Sequence, residues 1–247
     1  GFFRYTGKLD SLACLVEDYV YDDINTVPRQ HIYAGLNNLF GEVTWFYPGS
    51  GAASNNRSVT YNYMDSTPER PVWTTSTLAR STWSDSHIFG KPHATEYDSS
   101  ATSDTTVGNT DGVTYYYEHE TGVNQIKEGA GTAIAASIES GDFDISRTQG
   151  GGADLRGDGE YIMKIRRVLP DFLQQTGDAR VTLNLKNYPT DSQASSSLGP
   201  FTTTTSTDKI DTRARARAIA LKVDNTSTGQ HWKLGTFRLD IQADGRR

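Results

Sequence analysis

The residues of this sequence that could do chemistry are pairs and clusters of carboxylates. Asp142 and Asp144 are two acids at alternate positions in a weakly patterned segment. Two carboxylates that flank a cleft are enough to hydrolyse a glycosidic bond, one as the acid and the other as base or nucleophile. Acidic residues are also common in turns, so this pair alone does not identify a glycosidase.

Two other clusters contain the residue types that bind metal ions. They are Asp18, Asp22 and Asp23, and Glu118, His119 and Glu120. The first cluster has the spacing of a hydrated helix face, and in the second an extended strand turns the histidine away from both glutamates. The sequence therefore predicts no metal ion and no cofactor. It also lacks the GxSxG, Walker-type and HExxH motifs, so we expect a protein that is not an enzyme.

A run of arginines at alternate positions suggests a role in binding a partner. The alternating residues are Arg213, Arg215, Arg217, Ile219, Leu221 and Val223. An extended strand places all of them on one face, so the arginines continue an apolar face. They either extend from the edge of the core into water or meet an acidic surface of a partner. If they meet a partner, we predict that Arg213, Arg215 and Arg217 form a subunit interface rather than a DNA contact.

The composition indicates the kind of fold that must position these residues. The 247-residue chain is 35% hydrophobic and contains 13 Tyr, 9 Phe and 4 Trp, which is enough for a substantial core. Runs with a period of two recur between clusters of Gly, Asn and Ser, whereas helix-forming stretches are few. We therefore predict an all-β fold with one short helix at about residues 15–24, whose apolar face includes Leu15, Tyr19 and Val20. The single cysteine, Cys14, cannot form an internal disulfide.

Four aromatic-rich runs between residues 31 and 85 are typical of successive antiparallel strands. Such a meander is found in one blade of a propeller or in one sheet of a sandwich. The aromatic rings could stack on sugars or bases, or they could pack against one another across the strands. Near the C-terminus, a turn at about residues 224–230 predicts a hairpin that joins the arginine strand to a strand with Phe237 and Ile241.

The expected architecture is β-propeller-type antiparallel blades followed by a β-sandwich-like C-terminal region. Residues 1–146 are the propeller-like part, which we expect to continue N-terminally in a longer protein. Residues 147–159 are a glycine-rich linker, and residues 160–247 form the C-terminal antiparallel region. In that region Lys164, Arg166 and Arg167 add to the arginine cluster and suit contact with phosphates or with an acidic neighbouring subunit.

Several segments, taken in order, resemble a known family. They are YVYDDIN (19–25), EVTWFYP and NRSVTYNY within 42–63, YYYEHETG (115–122), IESGDFDI (138–145), IRRVLPDF (165–172), and RARAIALKVDN with HWKLGTFRLDIQADGRR at the end. Their order is similar to that in the C-terminal portion of tail hub or nozzle proteins of short-tailed bacteriophages, also described as tubular tail or DNA-stabilisation proteins. The segments span nearly the whole chain, and none of them is a catalytic signature.

The resemblance implies a structural component of the virion tail. It implies a homo-oligomeric ring, a hexamer in that family, that contacts the adaptor and fibres and lines the channel through which genomic DNA is retained and ejected. No sequence-specific DNA binding, catalytic residue or cofactor is implied. The formal net charge of −6 suits such a channel, because an acidic wall repels the phosphates of the passing duplex. No stretch is long enough to cross a membrane.

Two functions of other kinds remain alternatives. One is a glycan-binding or glycan-hydrolysing β-propeller protein, which would use the aromatic strands and an acidic pair such as Asp142 and Asp144. The other is a receptor-binding module of a phage tail, which would share the virion location but assemble as a trimer. The mass of the assembly and an assay on glycans distinguish these from a tail ring.

Overall fold

A computed structural model of the chain describes residues 1–99, 112–145, 161–188 and 196–246. Within these residues there are twenty β-strands, one α-helix and one turn of 3₁₀-helix. The predicted all-β class is therefore confirmed, and the sheets are small and antiparallel. The chain divides into two compact units, Gly1–Thr121 and Gly122–Arg247. No helix among the described residues has the length and apolar character needed to span a membrane.

The first unit begins with a hairpin and a short helix. Strands β1 (Phe2–Tyr5) and β2 (Leu9–Leu12) pair across a tight turn. The predicted helix is confirmed as α1 (Glu17–Asp23). Its buried residue is Val20, and the residues four positions before and after Val20 pack with it.

The apolar face predicted for this helix is only partly right. Val20 is buried as predicted, but Leu15 precedes the helix and is 80% exposed, and Tyr19 is 56% exposed. The residues that pack with Val20 are Val16 and Ile24, which lie at the helical spacing on either side of it.

Four consecutive strands form the main sheet of the first unit, as predicted. They are β3 (Tyr33–Asn37), β4 (Glu42–Tyr47), β5 (Arg57–Thr67) and β6 (Arg70–Ser76). Each strand pairs with the next in the chain, so the order is that of an antiparallel meander. This order occurs in a propeller blade and also in other sheets, so the propeller stays a prediction.

A second sheet in this unit contains β7 (Thr82–Ser84), β8 (His93–Asp98) and β9 (Val113–Glu118). Trp83 on β7 joins it to the meander, because its indole nitrogen donates a hydrogen bond to the carbonyl oxygen of Leu36 over 2.7 Å. The Trp83 ring also lies 5.5 Å from that of Phe46, which is fully buried. These aromatic residues pack against one another, as one of the two sequence interpretations expects.

The second unit contains the remaining strands. They are β10 (Asn124–Lys127), β11 (Ala130–Ala133), β12 (Ala136–Glu139), β13 (Tyr161–Leu169), β14 (Phe172–Thr176), β15 (Ala179–Lys186), β16 (Ser197–Thr203), β17 (Ile210–Ala216), β18 (Ala218–Asn225), β19 (His231–Leu234) and β20 (Arg238–Arg246). One sheet has the order β12-β18-β15-β16 and another the order β17-β13-β20. Strands β10 and β11 form a hairpin, and β14 pairs with β19.

The two larger sheets of this unit share one hydrophobic core. Met163 and Ile165 from β13 and Val181 and Leu183 from β15 are fully buried in it, together with Ile219 from β18. Since these side chains come from both sheets, the sheets bury their inner faces against each other. This is the sandwich arrangement expected for the C-terminal region.

The division between the units falls earlier in the chain than the predicted break. Strand β12 pairs with β18, with Ala136 opposite Asn225. The segment around β12 therefore belongs to the second unit rather than to the region predicted at 1–146. The predicted linker at 147–159 lies outside the described residues.

The predicted C-terminal hairpin is wrong, and so is the face assigned to its arginines. The chain leaves one sheet at the end of β17 and enters the other at β18, with a bend at Arg217. In β17 the alanines Ala214 and Ala216 are fully buried, whereas Arg213 and Arg215 face outward. The bend shifts the alternation by one residue, so the face that is buried in β18 is not the continuation of the arginine face. Strand β20 pairs with β13 instead of with β18.

Candidate functional site

A bulge in the middle strand of the three-stranded sheet brings positive charge to its outer face. The register of β13 shifts between Ile165 and Arg167 against both neighbouring strands. A bulge lets two consecutive side chains point to the same side of a sheet. Ile165 is buried, while Arg166 is exposed and Arg167 is partly exposed. The outer face therefore carries two adjacent arginines where a regular strand would carry one.

A threonine on the neighbouring strand stabilises this bulge. The hydroxyl of Thr212 on β17 donates a hydrogen bond to the carbonyl oxygen of Ile165 over 2.6 Å. That carbonyl lies where the ladder loses its regular register, so the hydroxyl satisfies a backbone acceptor at the irregularity.

The outer face forms an open groove of about 440 Å³, which we call the basic groove. It is lined by Lys164, Arg166, Arg167, Asp211, Thr212, Arg213 and Asp240. Four cations and two carboxylates line it, so positive charge is in excess by two. The basic residues of β13 were predicted to add to the arginine cluster, and the structure brings Arg213 to them.

One side of the basic groove is neutralised within the chain. The Nε atom of Arg167 donates to Asp211 over 3.1 Å, and Lys209 contacts the other carboxylate oxygen of Asp211 at 2.9 Å. The hydrogen bond from Lys209, and then that from Arg167, lower the pKa of Asp211 below its usual value. Asp211 is therefore ionised at neutral pH and keeps Arg167 in place.

The other cations of the basic groove have no such partner. Within the described part of the chain, Lys164, Arg166 and Arg213 make no side-chain hydrogen bond or ion pair. Arginine presents a planar fork of donors that fits a carboxylate or a phosphate with two hydrogen bonds. The arrangement can therefore bind an anionic group brought by another molecule.

The other two arginines of the predicted interface lie in different surroundings. Arg215 forms an ion pair with Asp244 on β20, with 2.6 Å between Nε and Oδ2. Arg217 lies between β17 and β18, and its backbone N–H donates to the carbonyl oxygen of Lys186 over 3.1 Å. Only Arg213 of the three lines the basic groove. The interface role of Arg213, Arg215 and Arg217 stays a prediction.

Among the carboxylates considered for chemistry, Asp142 and Asp23 lie in ion pairs, and Glu118 and Glu120 face away from His119. Asp142 contacts Lys186 at 2.5 Å and Asp23 contacts Arg57 at 3.0 Å. In the segment 118–120 the histidine side chain turns inward and both glutamates are exposed, as the strand alternation predicts. Among the described residues no group of three His, Cys, Asp or Glu side chains is placed to hold a metal ion.

A buried charged cluster in the first unit was not found from the sequence. Its centre is Arg80, which is 3% exposed. Arg80 donates from Nη1 to Glu96 over 3.1 Å and from Nε to His119 over 2.9 Å, and its guanidinium lies 4.1 Å from the centroid of the Tyr117 ring. A single arginine between Ala79 and Ser81 has no spacing that would have identified it.

The cluster changes the protonation of its histidine. Burial, then the positive charge of Arg80 and then that of His93 lower the pKa of His119 from 6.5 to about 4. Burial also lowers the pKa of Arg80, while Glu96 and Tyr117 oppose this effect. Arg80 and Tyr117 are buried and Glu96 and His119 are partly buried, so we assign the cluster a role in positioning strands.

Comparisons with known proteins add no assignment to the basic groove. No protein-family model matches the sequence, and no curated protein matches it.

Proposed function

We propose that this chain is a non-enzymatic structural subunit of the tail of a short-tailed bacteriophage. In this function, copies of the chain associate into a ring around the channel for DNA, and the basic groove binds an acidic surface of another subunit. The tail assignment is supported by the segments that resemble tail hub or nozzle proteins and by the order in which they follow one another in the chain. An all-β fold suits it, and the proposal assigns no catalytic residue or cofactor to the chain.

The observation that carries the self-association is the convergence of cations on the outer sheet face. Lys164, Arg166 and Arg213 have no anionic partner among the described residues, although acidic residues outnumber basic ones in the chain by six. Like charges held together on a sheet repel one another. An anionic surface on another subunit would remove this repulsion and form bidentate hydrogen bonds.

An acidic protein surface fits the basic groove better than a DNA backbone does. Asp211 and Asp240 lie among the cations, and their carboxylates would repel the row of phosphates along a DNA backbone. A protein surface can instead place its acidic groups against the cations and away from the two carboxylates, and charges of both signs then fix the register of the interface. The net charge of −6 further opposes binding of the chain to DNA.

The proposal is tested by removing the free cations and measuring assembly. The test variant is Lys164→Gln/Arg166→Gln/Arg213→Gln, and the matched control is Arg29→Gln/Arg70→Gln/Lys233→Gln, which removes the same charge from other exposed positions. Native mass spectrometry across a salt series follows the oligomer, and circular dichroism follows the fold. We expect the wild type and the control to form rings and the test variant to lose them while it stays folded.

Two results would contradict the proposal. A wild-type chain that stays monomeric at every salt concentration removes the basis for a ring subunit. Rings of the test variant with unchanged salt resistance would show that the groove is only a hydrated sheet face. Hydrolysis of glycans by the purified chain, or a trimeric mass, would favour the alternatives considered for the sequence.

A further inference from the structure

Three carboxylates, Glu42, Asp65 and Glu120, lie together at one edge of the first unit. Glu42 lies opposite Asn37 on β3, whose amide donates to Glu120, and opposite Asn62 on β5, whose side-chain oxygen accepts from the backbone N–H of Asp65. Glu42 begins β4, and its side chain makes no hydrogen bond or ion pair with any described residue. Burial raises the pKa of Glu42, and the charges of Glu120 and Asp65 raise it further. No described cation forms an ion pair with any of the three. The carboxylates therefore repel one another, and no ion pair with a described residue offsets the repulsion.

One of these carboxylates is held in position by unusual local structure. Asn37, which is 4% exposed, donates a hydrogen bond from Nδ2 to Oε1 of Glu120 over 2.9 Å. The backbone of Glu120 has a φ of 57°, in the left-handed region that residues other than glycine seldom adopt. Strained residues of this kind concentrate where a side chain has to be presented for function.

Exposed apolar side chains lie next to the carboxylates. Leu39 and Phe40 in the β3–β4 turn are 62% and 48% exposed, and Met64 is 69% exposed. Met64 lies over Gly41, because a Cβ atom on that glycine would come within 2.1 Å of the methionine Cγ. We call these residues together the acidic edge: Leu39, Phe40, Glu42, Met64, Asp65 and Glu120. Exposed apolar groups beside unpaired polar charges are typical of protein interfaces.

We propose that the acidic edge of one copy binds the basic groove of a second copy. This inference rests on the proposed function, in which the basic groove contacts another subunit, and it names the surface that the groove contacts. Glu42, Asp65 and Glu120 supply three anionic groups, and Lys164, Arg166 and Arg213 supply three cationic groups.

The two surfaces are different, so each contact joins the groove of one copy to the acidic edge of another. Where a copy uses its groove for one neighbour and its acidic edge for a second, the contacts run head-to-tail. Such an assembly continues until it closes into a ring or grows as a filament. The ring of the proposed function requires this arrangement, whereas a two-fold dimer would pair both surfaces reciprocally between two copies.

Charge complementarity favours the basic groove of a second copy as the partner of the acidic edge. The edge excludes nucleic acid and acidic peptides by repulsion, and its apolar residues favour a folded surface over small cations. The basic groove carries the opposite charge, has a similar number of unpaired groups and is present on every other copy at the same concentration. Contact between the two surfaces would relieve the repulsion within each of them. Because the attraction is electrostatic, salt would weaken the contact.

The test reverses the charge of each surface separately. The edge variant is Asp65→Lys/Glu120→Lys, and the groove variant is Arg166→Glu/Arg213→Glu. The matched control, Asp18→Lys/Asp22→Lys, reverses two exposed carboxylates on α1. Sedimentation velocity at low salt measures association, and circular dichroism measures folding. We expect the dissociation constant to rise at least about tenfold for each of the first two variants and to change little for the control.

Mixing the two variants gives the decisive result. The intact groove of the edge variant matches the intact edge of the groove variant, and the two reversed surfaces also match each other. We therefore expect an equimolar mixture to assemble when neither variant does alone, and a chain with all four substitutions to assemble by itself. The four-substitution chain also tests the pairing if a single-surface variant folds poorly.

The outcomes separate this inference from the proposed function. If the groove variant loses assembly and the edge variant keeps it, the groove is a subunit interface but the acidic edge is not its partner. If both variants assemble like the wild type, both proposals fail. A mixture that stays dissociated contradicts the pairing. Binding of a labelled DNA duplex by the wild type but not by the groove variant, without self-association, would identify nucleic acid as the occupant instead.

Discussion

The guanidinium of Arg80 donates a hydrogen bond to Nε2 of His119 over 2.9 Å. A guanidinium has only donors and stays charged, so His119 has to be the acceptor. Its Nε2 atom therefore carries no proton, and the ring is the neutral tautomer with the proton on Nδ1. Protonation of Nε2 would place a second positive charge against Arg80, which agrees with the low pKa of this histidine.

Acid is therefore expected to destabilise the first unit through His119. Between its usual pKa of 6.5 and the lowered value of about 4, the unfolded chain binds a proton that the folded chain does not. Stability is lost as the pH falls through this window, by at most about 3 kcal/mol. Urea unfolding followed by tryptophan fluorescence at about pH 7 and about pH 4.5 measures this loss. The variant His119→Gln, whose amide oxygen can still accept from Arg80, should lose less stability than the wild type over the same change. Equal losses would assign the acid sensitivity to other groups.

Replacement of Thr212 by valine is expected to destabilise the bulge that shapes the basic groove. The variant keeps the size of the side chain but removes the donor to the carbonyl of Ile165. We expect a cost of about 1 kcal/mol, typical of one lost hydrogen bond with a partly buried acceptor. Chemical denaturation measures the cost, and Thr182→Val on β15 is the control, since no described residue accepts from its hydroxyl. A cost no greater than that of the control would mean that the bulge does not need this donor.

A side chain at Gly35 is expected to separate the two sheets of the first unit. A Cβ atom there would lie 2.5 Å from Cδ1 of Trp83, whose indole is fixed by its hydrogen bond to Leu36. We expect Gly35→Ala to cost about 1–3 kcal/mol through overpacking. Gly141→Ala is the matched control, because its Cβ would meet nothing within 4 Å. Thermal unfolding compares the two, and an unchanged midpoint for Gly35→Ala would show that the tryptophan can move aside.

The meander could be predicted from the sequence because each of its strands pairs with the next one. Turn residues between the aromatic runs are enough to mark strands β3 to β6. The C-terminal strands could not be predicted in this way. Their partners lie far apart in the chain, and a turn signal after Asn225 does not show that β20 pairs with β13. Periodicity specifies the strands but not their distant partners.

The candidate site was only partly predictable for a related reason. The unbroken alternation from Arg213 onward hides the bend at Arg217, because Ala218 continues the same small and large pattern. The basic residues of β13 were recognised as a group, but the bulge that turns both Arg166 and Arg167 outward depends on the register of three strands. The carboxylates of the acidic edge come from three separate segments with no common spacing.

The pairing of β12 with β18 also determines the order in which the protein can fold during its synthesis. All strand pairs described in the first unit are complete once the ribosome has translated its last residue, Thr121. In the second unit, Ala136 can pair only after Asn225, 89 residues later, has been synthesised. Strand β13 likewise can pair only after β17 and β20 have been synthesised. The nascent chain therefore exposes the apolar face of β13 while its partners are still being made. During this interval the first unit can already be folded, and we expect the unfinished second unit to be the part that is prone to aggregate.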